Sequence, residues 1–171
     1  MKVTTVKNNN TFTKDNVKNI VKMTSTWHVN YSDRVYEDIA SILNNSSSGR
    51  RLAYSTIMCR VNHVLCLKQN ITWARCSPRM KKLFNILDCK DSGIIDNAIK
   101  AIDYIRNTRM FTKHSTATSW LLLSYHFVIN GYNVFNTESF KNPREFIYYV
   151  YNELKDGNTS PARSLLNSLL K

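Results

Sequence analysis

Glycine, proline and acidic side chains are scarce in this 171-residue chain. It has four glycines and three prolines, and its 12 acidic residues stand against 24 basic ones, which leaves a net charge of +12. Strand-length runs that alternate apolar and polar residues are nearly absent, which argues against an all-β fold. Apolar residues make up 43% of the chain and aromatic residues 11%, a composition that excludes an intrinsically disordered protein.

Long apolar segments and closely spaced cysteines are also missing. No apolar run reaches the about 20 residues that a membrane-crossing helix needs. Residues 1–12 contain no apolar segment of the kind found in signal peptides. The four cysteines are too few and too widely spaced for a disulfide framework, which favours free thiols in a reducing compartment. We therefore expect an intracellular protein, cytoplasmic or nuclear, with no membrane partner.

The most apolar stretch of the chain lies in residues 115–131. Between Trp120 and Ile129 only one serine and one histidine interrupt it. A helix without a polar face is normally buried on all sides. Gly131 follows as a helix stop, because glycine readily adopts the left-handed conformation just beyond a helix end. The sequence thus predicts a buried central helix over about 115–130.

The rest of the chain predicts amphipathic helices packed around this centre. All three prolines follow a serine or an asparagine, as expected where a capping residue precedes the first helical position. We predict one all-α domain over residues 1–171 with seven or eight helices, a polar tail or edge segment at 1–12 and a flexible loop at 44–49. The predicted helix starts are Thr13, Ser32, Arg50 (a long helix to about Gln69), Ser77-Pro78, Ser92, Asn142-Pro143 and Ser160-Pro161.

The positive charge is concentrated in residues 50–90. This segment carries nine basic residues and one acidic residue, so it accounts for +8 of the net charge of +12. Clustered lysines and arginines neutralise phosphates and release counterions, and an aromatic ring among them can stack on a base. The candidate nucleic-acid-binding residues are Arg50, Arg51, Arg60, Lys68, Trp73, Arg75, Arg79, Lys81 and Lys82.

A non-enzymatic protein that contacts RNA or DNA phosphates, largely independently of sequence, is therefore the first functional prediction. The alternative is a helical accessory or inhibitor factor, of the type that viruses and mobile elements encode, whose basic face meets an acidic protein partner. A homo-oligomer and a merely solvated basic surface also remain open. Tyr148, Tyr149 and Tyr151 fit either the core together with its rim or an exposed aromatic patch.

Three candidate metal ligands lie on one predicted helix. Cys59, His63 and Cys66 are spaced i, i+4, i+7, and Cys76 or Cys89 could complete a tetrahedral zinc site. However, the chain contains neither a CxxC nor an HxxxH motif, and a second buried helix face explains the same spacing. We expect no metal and no cofactor.

No catalytic residue is predicted either. His114 and His126 stand near opposite ends of the central helix, without a paired carboxylate or nucleophile nearby in the sequence. Nucleotide-binding glycine loops and the common hydrolase motifs are absent from the sequence. These observations favour a binding protein over an enzyme.

One segment resembles a known family signature. Residues 156–170 resemble the end of the Fic motif, in which Asp-Gly-Asn at 156–158 and Arg163 match. Asn152 stands where the family has its catalytic histidine, and Thr-Ser at 159–160 replaces a Gly-Arg pair. The resemblance implies a catalytically inactive Fic-like relic, which is the third functional possibility.

Overall fold

The computed structural model describes residues 10–25, 30–48, 52–68 and 78–171. Within these ranges the regular secondary structure is entirely α-helical, which confirms the predicted all-α class. Buried residues from all the helices join one hydrophobic core. The eight helices of the described residues are α1 (Lys14–Thr24), α2 (Asp33–Ser48), α3 (Tyr54–Leu65), α4 (Pro78–Leu87), α5 (Ile94–Asn107), α6 (Ser115–Ile129), α7 (Pro143–Lys155) and α8 (Ser160–Leu169).

Helix α6 is the predicted central helix. Every residue from Ala117 to Val128 is buried, as a helix without a polar face requires. Helices α1, α2, α3 and α5 pack directly against it, while α4, α7 and α8 pack around α5. Gly131 ends the helix with a φ of 89°, as predicted. None of the described helices is both long enough and apolar enough to cross a bilayer.

Local sequence signals mark four of the helix starts in the described ranges, although the cap of α8 is Thr159 and not the predicted Ser160. Thr13 and Asn16 form a reciprocal capping box at the start of α1, as a threonine cap predicts. The three prolines lie in the first turns of α4, α7 and α8, where the missing N–H group costs nothing. The predicted Ser92 cap is wrong, because Gly93 occupies the capping position and α5 begins at Ile94.

The predicted loop at residues 44–49 is wrong for residues 44–48, since α2 continues to Ser48, while residue 49 lies outside the described residues. Asn44 accepts a hydrogen bond from the N–H group of Phe12 and donates one to its carbonyl group, both at 2.8 Å. The Tyr125 hydroxyl donates to the carbonyl group of Ser46 at 3.1 Å. These tertiary bonds outweigh the weak helix propensity of serine and asparagine. Phe12 is itself buried in the core, so the predicted polar tail ends before it.

The long helix predicted over residues 50–69 is shorter at both ends. Ala53 is its non-helical N-cap, and α3 ends at Leu65. Leu67 and Lys68 both adopt the left-handed conformation, with φ of 55° and 57°. The Lys68 N–H group donates to the carbonyl group of His63 at 2.9 Å, which closes the helix in a C-terminal turn.

Candidate nucleic-acid interface

The structure describes five of the nine predicted binding residues. All five have exposed side chains: Arg60, Lys68, Arg79, Lys81 and Lys82. The remaining four lie outside the described residues: Arg50, Arg51, Trp73 and Arg75. The basic segment is therefore assessed through α3 and α4 alone.

Three of these cations lie at the start of α4. Met80 and Leu83 of α4 pack into the core. The helical period places Arg79, Lys81 and Lys82 on the solvent-exposed side of the same helix. The start of a helix also carries a partial positive charge, so the backbone and the side chains contribute charge of the same sign here.

Helix α5 and the loop after it complete this surface. The Arg79 guanidinium group donates to the carbonyl group of Arg109 at 2.8 Å, and the Tyr104 hydroxyl donates to the carbonyl group of Arg79 at 3.0 Å. The Lys82 ammonium group lies 5.4 Å from the centre of the Tyr104 ring. We call the surface formed by Arg79, Lys81, Lys82, Tyr104 and Arg109 the basic face.

The cations of the basic face have no acidic partner among the described residues. Both carboxylates of α5 that form ion pairs bind arginines outside this face: Asp103 pairs with Arg106 at 2.7 Å, and Asp96 with Arg163 at 2.6 Å. The other ion pair in the described ranges joins α1 to α2, away from α4. Within the described ranges, no cation of the basic face is thus within ion-pair distance of an acidic side chain.

Arg60 and Lys68 lie on and just after α3. Helix α3 contacts α4 through the rings of Tyr54 and Phe84, whose centres are 5.6 Å apart. Only three of the five described candidates, Arg79, Lys81 and Lys82, belong to α4 and so to the basic face.

A cavity of about 540 Å³ opens beside Arg109, where the α5–α6 loop meets the start of α6. We call it the α6 cavity. The described residues that line it are Thr24, Ser25, Arg109, Phe111, Thr112, Lys113, His114, Ser115, Thr116 and Ala117. Because Arg109 belongs to both, the α6 cavity continues the basic face.

Hydrogen bonds hold the loop that borders the cavity in place. The Ser115 hydroxyl accepts from the N–H group of Met110 at 2.8 Å, and the buried amide group of Asn62 donates to the carbonyl group of Lys113 at 2.8 Å. His114 precedes α6 in the left-handed conformation, with a φ of 55°. A non-glycine residue held in this region indicates a loop constrained by its surroundings.

Burial controls the protonation of the groups below this loop. Burial, with a smaller contribution from the charge of Lys113, lowers the pKa of His114, so its ring is neutral at pH 7. The Tyr31 hydroxyl lies 3.3 Å from Nε2 of that ring and also donates to the carbonyl group of Leu65. Burial, with smaller contributions from Cys66 and Tyr36, raises the pKa of Tyr31, which stays protonated and available as a donor.

The candidate zinc ligands that the structure describes are not gathered into a metal site. No three histidine, cysteine or acidic residues in the described ranges lie close enough together to hold a metal ion. The Cys66 thiol donates to the Asn62 amide oxygen at 3.7 Å, and burial raises its pKa. Cys59 and His63 are half-buried on the same helix, while Cys76 lies outside the described residues.

The second histidine of the central helix packs in the core. His126 is buried, and its Nδ1 lies 2.5 Å from the Tyr54 hydroxyl of α3. Burial lowers its pKa, although the nearby Asp88 charge partly offsets this effect. The contact joins α3 to α6.

The three tyrosines of α7 have different environments. Tyr148 and Tyr149 are about half exposed. Tyr151 turns inward, and its hydroxyl accepts a hydrogen bond from the indole N–H group of Trp120 at 3.0 Å. Tyr151 therefore packs in the core. Tyr148 and Tyr149 fit either the rim of the core or an exposed aromatic patch.

The segment that resembles the Fic motif forms the turn between α7 and α8. Gly157 has a φ of 80°, and the Asn158 N–H group donates to the carbonyl group of Glu153 at 2.9 Å. The Asn158 side chain accepts from the N–H group of Ser160 at 3.2 Å. Arg163 pairs with Asp96, so each matching residue has a structural contact here.

Sequence reasoning missed the α5 and loop residues of the interface. Tyr104 and Arg109 lie beyond the segment 50–90, and only packing of α4 on α5 brings them beside Arg79. Arg109 and Lys113 lie in the connection between two predicted helices. Two cations in one short loop are the sequence feature that could have indicated this surface.

Known proteins offer no further guide to the function. The chain matches no protein-family model, no curated protein and no solved structure. Its function is therefore inferred from the basic face and the α6 cavity.

Proposed function

We propose that this protein binds nucleic acid through the basic face and contacts phosphates with little dependence on base sequence. The observation that carries this proposal is the set of four exposed cations without an acidic partner among the described residues: Arg79, Lys81, Lys82 and Arg109. Most surface charges of a folded protein are interspersed with charges of the opposite sign. A one-sign cluster between two helices instead suits a line of phosphates.

Phosphate binding by this cluster has a defined salt dependence. Each neutralised phosphate releases about 0.7–0.9 of a counterion. If all four cations contact phosphates, the logarithm of the affinity should fall with the logarithm of salt concentration with a slope of about −3 to −4. A smaller slope means fewer contacts.

The basic face suits contact with the phosphate backbone of a nucleic acid better than recognition of its bases. Arg79 lies in the first turn of α4, and the N–H groups at a helix start favour phosphates. Tyr104 is half-buried, and Lys82 lies over its ring, so a base can stack only on the exposed part of the ring. RNA and DNA both fit this chemistry, and either partner would place the protein inside the cell.

Reversing the charges of α4 tests the proposal. The variant Arg79→Glu, Lys81→Glu, Lys82→Glu should weaken the binding of labelled single strands and duplexes by more than about tenfold and reduce the salt slope by about 2 to 3 between about 50 and 200 mM salt. Fluorescence anisotropy measures both quantities. Circular dichroism melting checks that the variant is folded.

A matched control separates a site from general basicity. The exposed residues Lys141, Lys155 and Lys171 lie on or beside α7 and α8, and their reversal to Glu changes the net charge equally. This control should retain most of the affinity and the full salt slope. Equal losses in both variants would reduce the basic face to diffuse attraction.

The same cations favour an acidic protein as the second candidate partner. Electrostatic complementarity would then determine the rate of association. Absence of nucleic-acid binding by the wild-type protein at low salt would overturn the proposal and leave this alternative.

A further inference from the structure

The α6 cavity has the dimensions of a small-molecule site. Its volume of about 540 Å³ lies within the range of ligand pockets, which is about 300–1,000 Å³. Phe111 and Ala117 provide apolar walls, and hydroxyl groups of serine and threonine line the rest. Such a lining accepts a ligand with one apolar and one strongly polar part.

The charge in the cavity has one sign. Arg109 and Lys113 are cationic, and the described lining residues include no carboxylate. The first backbone hydrogen bond of α6 comes from the N–H group of Thr118 to the carbonyl group of His114. The N–H groups that precede Thr118 in α6 therefore have no carbonyl partner within the helix. They point out of its N-terminal end, where they favour an anion.

We propose that the α6 cavity holds the terminal phosphomonoester of a nucleic-acid strand whose following phosphates lie on the basic face. This inference rests on the proposed function and specifies which part of the strand binds where. A terminal phosphomonoester carries close to two negative charges at pH 7, which match Arg109 and Lys113, whereas each internal phosphate carries one. Arg109 joins the two surfaces, because its carbonyl group accepts from Arg79 and its side chain borders the cavity.

The bordering loop is already ordered for this ligand. Asn62 and Ser115 hold its backbone at both ends, so little conformational entropy is lost when a phosphate binds. An ordered site should discriminate a phosphate from a hydroxyl group at the strand end by more than charge alone.

The test compares one short single strand with a 5′-phosphate, with a 3′-phosphate and with hydroxyl groups at both ends, at fixed salt. Wild-type protein should bind one phosphorylated form about tenfold more tightly than the hydroxyl form, which corresponds to about 1.4 kcal/mol. Lys113→Gln should abolish this preference. Lys141→Gln removes an equal charge from an exposed site elsewhere and should leave the preference unchanged.

The outcomes separate this inference from the proposed function. If all three strands bind equally well and with the expected salt slope, recognition of the strand end is wrong and binding by the basic face stands. If a free mononucleotide binds as tightly as the phosphorylated strand, the cavity is a nucleotide site and the strand-end assignment is overturned. If no strand binds at low salt, the proposed function fails, and this inference fails with it.

Discussion

The Arg79 side chain is tied to the backbone of Arg109, with 2.8 Å between the guanidinium nitrogen and the carbonyl oxygen. The two residues are 30 positions apart in the sequence, on the first turn of α4 and in the loop after α5. The bond thus joins the predicted basic segment to the loop that borders the α6 cavity. Arg79 has two roles as a result, since it supplies charge and positions the loop.

The conservative change Arg79→Lys separates these roles. Lysine keeps the charge but cannot reproduce the planar guanidinium contact, so the salt slope should stay constant while affinity falls by roughly two- to fivefold, or about 0.5–1 kcal/mol. Anisotropy titrations over a salt series measure both. Arg60→Lys makes the same chemical change at an exposed position of α3 and should have little effect. Unchanged affinity in Arg79→Lys would show that the bond does not position the interface.

Tyr151→Phe should destabilise the fold. Trp120 is fully buried, and its indole N–H group donates to the Tyr151 hydroxyl, so this change leaves a buried donor without its acceptor at a cost of about 1–3 kcal/mol. Tyr148→Phe removes the same atom from a side chain that is 48% exposed and should change stability by less than about 0.5 kcal/mol. Urea unfolding of both variants gives the comparison, and equal changes would contradict the assigned contact.

Acid should destabilise the protein through His126. Burial lowers the pKa of His126 in the folded state, so the unfolded state binds this proton more readily. The free energy of unfolding therefore falls as the pH drops below about 6.5, by at most about 1.4 kcal/mol per pH unit for this histidine. The decrease ends below the folded-state pKa. His126→Gln cannot titrate, so its unfolding free energy should fall less between about pH 7.5 and 5.5. Identical pH profiles for both proteins would exclude this contribution.

Truncation of the central helix should cost more than truncation of the surface. Leu122 is 1% exposed, and Leu122→Ala should destabilise the protein by about 2–5 kcal/mol. Leu67 is 61% exposed, and Leu67→Ala keeps the Cβ atom and the local backbone, so it should change stability by less than about 0.5 kcal/mol. Thermal or urea unfolding distinguishes them. Similar melting curves for both variants would mean that α6 is not the centre of the core.

Local signals account for the features that sequence reasoning predicted correctly. The apolar run of α6, the left-handed Gly131 and the capping threonine Thr13 depend on residues within a few positions of one another. Prediction failed at residues 44–48 because serine and asparagine favour loops in isolation, whereas bonds to Phe12 and Tyr125 hold them in α2. Those partners are distant in sequence and cannot be read from local propensity.

The sequence by itself determined the all-helical class, the identity of the central helix and the concentration of positive charge before it. Only the tertiary structure decided which cations share a surface. Packing of α4 on α5 brings Tyr104 and Arg109 to Arg79, although both lie outside the predicted basic segment. Helix formation and net charge follow from local composition. A binding surface depends on which faces the core leaves exposed side by side, and that arrangement exists only after the helices have packed.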